Sequence, residues 1–260
     1  MIIPQIQGNF NQENFFIYAA CDEIYFDEFG KTLINSIQQN SKTPIHLHLF
    51  NPRGDQLQFC QEKSVSVTYE TVSIDDFAKA AKHWEIAPTD KDERIRFERI
   101  ITSMNKGSDK TKAERIMKTY FACARFIRLA EILISEKSVF SMDIDAIFRK
   151  ELPELSTGPD FYVRKNKQYL AGGIYLTSNP NSLKFLKEYS TLLRESIERD
   201  YIYWSLDQDI LDILVPKYQT SELPLSFIDW YMTPDSYIWT AKGKRKDLAI
   251  FINEQKKYRS

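Results

Sequence analysis

Asp143 and Asp145 are the two residues of this sequence whose type and spacing are best suited to chemistry. They directly follow the apolar segment Ser138–Met142, which is typical of a buried strand. Side chains two positions apart on a strand point to the same side, so these carboxylates repel each other unless a cation lies between them. Mg²⁺ and Mn²⁺ prefer carboxylate oxygens, and open α/β sheets bind ligands at the carboxyl ends of their strands. The pair is therefore a candidate metal site; in the alternative, one aspartate caps the following turn and the other is solvated.

A cluster of basic residues lies near the end of the chain, where Lys242, Lys244, Arg245 and Lys246 surround Gly243. A flexible cationic segment of this kind is able to bind a diphosphate, because its side chains donate charged hydrogen bonds. Taken alone, the cluster is more typical of a solvated surface segment. Beside a metal site, it would neutralise the diphosphate of a leaving nucleotide.

Composition limits the class of protein to which these residues belong. The chain has 260 residues with 35 basic and 36 acidic side chains, a formal net charge of −1, which argues against a general nucleic-acid-binding protein. A hydrophobic fraction of 43% and an aromatic fraction of 13% exclude a disordered chain. This length predicts a single domain with a core and a cleft.

The cellular location is predicted from the absence of targeting features. Residues 1–10 resemble no signal peptide, and the apolar runs, such as Phe15–Ala20, are far shorter than the roughly 18 residues of a membrane helix. Cys21, Cys60 and Cys123 are widely separated, which favours reduced thiols. We therefore expect a cytoplasmic protein, from a bacterium or from a virus-infected host cell, without a membrane span.

Strands and helices alternate along the sequence. The predicted strands are 15–20, 45–50, 65–69, 138–142 and 172–176, and the main predicted helices cover 29–37, 111–134, 179–199 and 207–214. This alternation predicts an α/β fold with a mainly parallel central sheet flanked by helices.

Two features have more than one interpretation. The charged run Asp90–Arg99 is typical of a solvated helix, and the polar stretch Asn105–Lys110 is typical of a surface loop. In the alternative, the two together form a segment that closes over a ligand. His46 and His48 lie two positions apart on a predicted strand, where we expect an ordinary strand face rather than a metal site, because no further Cys or His lies nearby.

Five motifs, in order along the chain, resemble those of the retaining GT-A-fold glycosyltransferases of family 8, which includes glycogenins and bacterial lipopolysaccharide galactosyltransferases. They are Ala19-Ala20-Cys21-Asp22 with Tyr25, Thr119-Tyr120 with Ala124-Arg125, Asp143-Ile144-Asp145, Ala171-Gly172-Gly173, and Asp207-Gln208-Asp209-Ile210-Leu211. The resemblance implies a Rossmann-like GT-A domain over residues 1–260. Its nucleotide-binding half would end at about residue 145, and residues 146–260 would bind the donor sugar and the acceptor.

The resemblance also implies roles for individual residues. Asp143 and Asp145 would hold Mn²⁺ or Mg²⁺, and Asp207 and Gln208 would be the catalytic residues at the donor sugar. The implied donor-binding residues are Ala19, Ala20, Asp22, Tyr25, Arg125, Asp143, Gly172, Lys242 and Lys246.

The implied activity is transfer of a hexose, from UDP-glucose or UDP-galactose, to a hydroxyl of a carbohydrate or glycoconjugate acceptor with retention. An inverting enzyme would instead need a carboxylate base, for which Asp229 and Asp235 are available. Aromatic residues form either an acceptor platform or ordinary core: Trp230, Tyr231, Tyr237 and Trp239.

Two positions depart from the family pattern. Thr240 stands where the family has a metal-ligating His, and Leu170 stands where it has an Asn. These departures favour the alternative of a non-catalytic protein that binds nucleotide sugars or glycans on the same scaffold. A nucleotidyltransferase is a further alternative, although the sequence has no glycine-rich phosphate loop after the first strand.

Overall fold

The computed structural model describes residues 1–10, 13–83, 98, 101–102, 111–241 and 243–259. Its strands are β1 (Gln7–Asn9), β2 (Phe15–Asp22), β3 (Ile45–Phe50), β4 (Ser66–Glu70), β5 (Ser138–Met142), β6 (Ala146–Phe148), β7 (Phe161–Lys165), β8 (Tyr169–Leu176), β9 (Thr220–Glu222), β10 (Ile228–Asp229) and β11 (Ile238–Thr240). Its helices are α1 (Glu23–Tyr25), α2 (Lys31–Asn40), α3 (Gly54–Glu62), α4 (Ala78–His83), α5 (Lys112–Ile132), α6 (Pro180–Glu198), α7 (Leu206–Leu214) and α8 (Ala249–Lys256). A π-helical turn covers Phe26–Gly30, and 3₁₀ turns cover Ile74–Phe77, Val215–Lys217 and Gly243–Asp247.

The central sheet has the strand order β1-β4-β3-β2-β5-β8-β7-β9. The four neighbours β4, β3, β2 and β5 are parallel, whereas β1 and β8 run antiparallel to their neighbours in this group. A smaller sheet has the order β10-β11-β6. The carboxyl ends of β2 and β5 therefore meet at one edge of the sheet, where a ligand is expected in such folds.

Side-chain alternation along β2 divides the core into two layers. Phe16 and Tyr18 pack on the side of α5 and α6, whereas Ile17 and Ala19 pack on the side of α2 and the smaller sheet. This period of two follows from strand geometry. It also determines which residues near the end of β2 reach the ligand edge.

Local sequence signals begin and end the helices. Thr111 and Glu114 form a reciprocal capping box at the start of α5, and Asn179 caps α6 ahead of Pro180. The predicted helix 111–134 ends earlier, at Ile132, because Leu133 leaves the helical conformation. The strand predicted from 172 begins at Tyr169, since pairing with β7 extends it.

The structure describes only part of the segments with two interpretations. The stretch Asn105–Lys110 and all of the charged run Asp90–Arg99 except Glu98 lie outside the described residues. Just before them, Phe77 packs against Tyr120 of α5, with ring centroids 5.3 Å apart. No helix within the described ranges has the length and apolar character needed to cross a membrane.

His46 and His48 form a buried hydrogen-bonded row with strand β4. The two ring nitrogens of His46 lie 2.8 Å from Ser66 Oγ and 2.9 Å from Thr68 Oγ1, and His48 Nδ1 lies 3.0 Å from the same Thr68 hydroxyl. No metal-ligating group of three side chains occurs in the described part of the chain. The hydrogen bonds of the two histidines join strands β3 and β4, as expected for an ordinary strand face.

Candidate active site

The acidic pair follows β5 at the ligand edge of the sheet. The side chain of Asp143 is 48% exposed and that of Asp145 is 14% exposed. Burial, and then the neighbouring charge of Asp143, raise the pKa of Asp145. The two carboxylates are therefore close enough to repel each other, as their spacing predicts.

Arg125 of α5 neutralises one side of this pair. Its Nη1 lies 2.6 Å from Asp143 Oδ1, its Nη2 donates to the Ala171 carbonyl at 2.8 Å, and Asp207 Oδ2 is 3.8 Å away. Burial lowers the pKa of Arg125, but the charges of Asp143 and Asp207 outweigh it and raise that pKa. The guanidinium thus joins the ends of β5, β8 and α7.

Gly172 leaves the space in which the Asp143 carboxylate lies. A Cβ at this position would be 2.4 Å from Asp143 Oδ2, far inside van der Waals contact. The glycine belongs to a bulge of β8. In the pairing of β8 with β7, Val163 lies opposite Ile174 and Lys165 lies opposite Tyr169. The four residues 170–173 of β8 therefore correspond to the single residue Arg164 of β7. Such bulges re-aim side chains next to active sites.

Lys246 of the turn Gly243–Asp247 neutralises the other side of the pair. Its Nζ lies 2.7 Å from Asp145 Oδ2 and 4.6 Å and 4.5 Å from the ring centroids of Tyr25 and Phe29. Thr240, which stands where the sequence resemblance implies a His, donates from Oγ1 to the Asp145 carbonyl at 3.1 Å. Lys242 lies outside the described residues.

The donor atoms at this edge suit a hard divalent cation. Asp143 and Asp145 offer carboxylate oxygens, and the Thr240 hydroxyl lies 3.4 Å from Asp145 Oδ1. Within the described ranges no third His, Cys, Asp or Glu completes a ligating group with them. The chemistry of the two carboxylates fits Mn²⁺ or Mg²⁺, with further ligands to be supplied by substrate and water.

These groups line one cavity of about 630 Å³, a size typical of small-molecule sites. From the amino-terminal part of the chain it is lined by the predicted residues Ala20, Asp22 and Tyr25. Asp22 Oδ1 also accepts from the Tyr25 backbone N–H at 2.8 Å, which caps α1 and positions the Tyr25 ring. Predicted residues from the rest of the chain complete the wall: Arg125, Asp143, Asp145, Gly172, Asp207, Gln208, Trp230 and Lys246.

Several solved structures with a similar fold are glycosyltransferases. The galactosyltransferase LgtC, in complex with donor and acceptor sugar analogues, has a TM-score of 0.54 and 11% identity over 94% of this chain and 96% of LgtC. Apo GlyE, a glycosyltransferase of Streptococcus pneumoniae TIGR4, has a TM-score of 0.54 and 12% identity over 94% of this chain and 60% of GlyE. The bifunctional glycosyltransferase WbbM has a TM-score of 0.51 and 11% identity over 96% of this chain and 50% of WbbM. The chain has the GT-A fold.

The GT-A fold confirms the fold class and the resemblance predicted from the sequence. At identities of 11–12%, the likeness establishes the fold alone. No family model matches the sequence, and no curated protein matches it. The division into halves at about residue 145 stays a prediction.

Four predicted site residues lie away from the GT-A cavity. Ala19 packs in the core, because its side chain points to the face of β2 opposite to Ala20. Trp239 is 4% exposed and donates from Nε1 to the Thr233 carbonyl at 2.8 Å, so it is a core residue. Tyr231 is 74% exposed, and Tyr237 is half-buried outside the cavity. Of the four aromatic residues of the predicted acceptor platform, only Trp230 lines the cavity.

The two carboxylates considered as inverting bases also lie outside the GT-A cavity wall. Asp229 accepts from the backbone N–H groups of Tyr231 and Thr233, both at 2.7 Å, and from the hydroxyls of Thr233 and Ser236. Asp235 is fully exposed. Neither is placed to deprotonate an acceptor bound in the cavity.

Arg164 and Trp204 are among the cavity residues of this GT-A fold that sequence analysis missed. Arg164 lies in the strand Phe161–Lys165, where one arginine follows three apolar residues. A charged residue directly after three apolar residues of a short strand can be a buried functional side chain, and this signal could have identified Arg164. Trp204 is in an irregular segment before α7, for which the sequence gives no comparable signal.

Proposed function

We propose that this chain transfers a hexose from UDP-glucose or UDP-galactose to an acceptor hydroxyl, with retention and with help from a divalent cation. The observation that carries this proposal is the convergence of an acidic pair and a lysine in one cavity of the GT-A fold, beside the predicted catalytic residues Asp207 and Gln208. These groups suit a negatively charged donor that must lose a diphosphate.

Asp22 and Tyr25 would contact the base of the nucleotide, because they lie where β2 ends at the cavity. Asp143 and Asp145 would hold the cation, which when bound would stabilise the negative charge of the diphosphate. Lys246 would neutralise the departing nucleoside diphosphate from the carboxyl-terminal side. Its position next to Asp145 supports this role, since both side chains line the cavity.

The reaction breaks the bond between the donor anomeric carbon and the diphosphate oxygen and forms a bond from that carbon to the acceptor oxygen. Retention requires attack on the same face from which the diphosphate leaves, and the acceptor proton then goes to the departing diphosphate. The positions of Asp229 and Asp235 outside the cavity support retention over inversion by either residue. Gln208 would contact the donor sugar, and Asp207 would be held by Arg125.

Thermal-shift measurements with UDP, GDP, CDP and ADP, each with and without Mn²⁺, test donor binding. A ligand at a hundred times its Kd stabilises by about 2.7 kcal/mol, which corresponds to a rise in Tm of roughly 5–10 °C for a chain of this size. We expect this shift for UDP in the presence of Mn²⁺, and its loss in Asp145→Asn. Equal shifts for all four nucleotides, or none, would contradict the proposed donor.

Turnover is tested separately with UDP-glucose and UDP-galactose, by following UDP release and by NMR of the product. An α-linked product is expected, and a β-linked product would overturn retention. UDP-sugar binding without UDP release, with or without candidate acceptors, would favour a non-catalytic binding protein. Release of inorganic diphosphate would indicate a nucleotidyltransferase.

A further inference from the structure

Arg164 places a buried positive charge in the cavity wall with few partners. The residue is 4% exposed, its Nη2 donates to the Pro224 carbonyl at 3.0 Å, and its Nε has no hydrogen-bond partner. Burial lowers the pKa of Arg164, and the negative charges of Asp229 and Glu222 oppose this effect by raising it. Neither carboxylate forms an ion pair with Arg164. Among the residues that the structure describes, the guanidinium therefore has no carboxylate partner.

The contrast with Arg125 shows that this arrangement is unusual. Both arginines are buried and line the same cavity, but Arg125 lies 2.6 Å from a carboxylate oxygen of Asp143. Leaving a buried charge without a counter-ion destabilises a protein. An anion that arrives with a ligand would supply the missing partner.

Asp229 is the carboxylate whose charge acts most on Arg164, but its hydrogen bonds are made with other groups. Its Oδ1 accepts from the Tyr231 N–H, and its Oδ2 accepts from the Thr233 N–H and the Thr233 and Ser236 hydroxyls. Both carboxylate oxygens of Asp229 are thus engaged by its own turn. Glu222 is exposed on the edge strand β9, so its charge is solvated.

Trp230 adds an apolar surface next to this charge. The Arg164 Cζ lies 5.0 Å from the Trp230 ring centroid, and both residues line the cavity. An indole ring can stack on the apolar face of a sugar, while the neighbouring guanidinium binds an anionic substituent of that sugar. The pair therefore has the chemistry for an acidic sugar.

The strand order places this pair away from the proposed nucleotide contacts. Strand β7, which carries Arg164, is two positions from β5 and three from β2. At the usual spacing between strands, these separations are about 10 Å and about 14 Å. Arg164 is thus farther from Asp22 than from Asp143, on the side of the acidic pair opposite to the base contacts.

We propose that Arg164 and Trp230 form an acceptor subsite that binds a sugar carrying a negatively charged group, either a carboxylate or a phosphate. This inference rests on the proposed glycosyl transfer, because it assigns the class of acceptor that the same cavity takes. Arg164 is a specificity-determining residue in this assignment, since it touches the acceptor and not the reacting atoms.

Saturation-transfer NMR with glucuronate, glucose 6-phosphate and glucose tests the subsite. The protein is first saturated with UDP and Mn²⁺, so that the probes do not bind at the diphosphate position. We expect at least one anionic probe to bind about tenfold more tightly than glucose, since charged hydrogen bonds are stronger than neutral ones. The better anionic probe then distinguishes carboxylate from phosphate.

Variants of Arg164 provide the matched comparison. Arg164→Gln should reduce the preference for anionic probes to about twofold or less, whereas Arg164→Lys should retain part of it. The Tm of Arg164→Gln without ligand should equal or exceed that of the wild type, because the variant removes an unpaired buried charge. A residue with a purely structural role would instead lower the Tm when replaced.

Several results would overturn the subsite. Equal binding of glucose and both anionic probes would do so, as would an anion preference that survives in Arg164→Gln. If Arg164→Gln weakens the binding of UDP-glucuronate but leaves the affinities of the three probes unchanged, the negatively charged group belongs to the donor sugar and not to the acceptor. Failure of the proposed function is distinct: glucuronate binding that depends on Arg164, in a protein that UDP does not stabilise, would overturn glycosyl transfer and retain the anion site.

Discussion

The ammonium of Lys246 lies 2.7 Å from the carboxylate of Asp145, in a pocket formed with the rings of Tyr25 and Phe29. This contact joins the carboxyl-terminal turn to the acidic pair after β5 and to the turn after β2. The acidic pair therefore has a protein cation on each side, Arg125 next to Asp143 and Lys246 next to Asp145. A bound nucleotide would share these charges.

Replacing Lys246 should weaken nucleotide binding. We expect Lys246→Ala to raise the Kd for UDP with Mn²⁺ by about tenfold to a hundredfold, the value of a hydrogen bond to a charged group. Lys244→Ala is the matched control, because Lys244 belongs to the same turn but is exposed. Isothermal titration measures both. Tighter binding of Mn²⁺ and UDP by Lys246→Ala would instead show that the ammonium competes with the metal for Asp145.

Two adjacent glycines allow a test of the Asp143 position. Gly172→Ala would place a Cβ 2.4 Å from Asp143 Oδ2, whereas the Cβ of Gly173→Ala would meet atoms of Ile228 and Leu223 no closer than 3.6 Å. Because Asp143 is half-exposed, its carboxylate can rotate away, and the buried Arg125 would keep Asp207, 3.8 Å away, as its carboxylate partner. We expect Gly172→Ala to lose Mn²⁺-dependent UDP binding in thermal-shift assays, with the Tm of the free protein lowered by only a few degrees. Equal binding in both variants would contradict this placement of Asp143.

The ion pair of Arg128 and Glu70 should contribute strongly to stability. Both side chains are buried, and Arg128 Nε donates to Glu70 Oε2 at 2.5 Å while Tyr120 donates to Oε1 at 2.6 Å. Arg128→Met would leave a buried carboxylate without its cation and should lower the free energy of unfolding by about 3–5 kcal/mol.

Arg53→Ala is the control for this pair, since Arg53 is 45% exposed and bonds to exposed carboxylates of Asp27 and Asp55. Its loss should lower the free energy of unfolding far less than Arg128→Met does, because solvent screens exposed ion pairs. Urea unfolding compares the two variants. Similar losses in both would show that Glu70 is neutral in the folded state.

His46 should make the fold less stable in mild acid. Burial lowers the pKa of His46 to about 3 in the folded state, from 6.5 in an unfolded chain. Between pH 6.5 and pH 3, therefore, His46 takes up a proton only in the unfolded state. Neutral His46 thus leaves the folded state fully stable above about pH 6.5. As the pH falls towards 3 the free energy of unfolding decreases, by about 2 kcal/mol at pH 5.

His46→Gln removes this titration, and His48, whose pKa burial also lowers, remains in the variant. We therefore expect the difference in unfolding free energy between pH 7 and pH 5 to be smaller in the variant by about 2 kcal/mol. Denaturant titration at the two pH values measures this difference. An unchanged pH dependence would mean that the imidazole gains a proton without unfolding.

The sequence was sufficient for the sheet centre because β2, β3 and β5 are buried on both faces and are rich in apolar residues, although only β2 begins with a continuous apolar run. Strand ends were less predictable: β2 continues to Asp22 because that residue pairs with Phe50 of β3, a partner that local composition does not reveal. The strands β9, β10 and β11 have only two or three residues, too few for any periodicity.

The site could be predicted only where its residues belong to motifs. Asp143 and Asp145 stand out by their spacing, and the family resemblance predicted that Arg125 and Lys246 belong to the same site. The core position of Trp239 depends on the pairing of β11 with β6, which separates it from Trp230. The unpaired charge of Arg164 depends on the hydrogen bonds that hold Asp229, and no local pattern encodes them.

The turn that carries Lys246 packs through the last described helix onto the start of the chain. Gln255 Nε2 donates to the Glu28 carbonyl at 2.6 Å, and Asn35 Nδ2 donates to the Tyr258 carbonyl at 2.8 Å. A ribosome adds these residues after the sheet and Asp145 have already been made. The acidic pair therefore acquires its second cation last, and a nascent or clipped chain that lacks the segment 243–259 would lack Lys246 at the candidate site together with the core side chains of Phe251 and Tyr258.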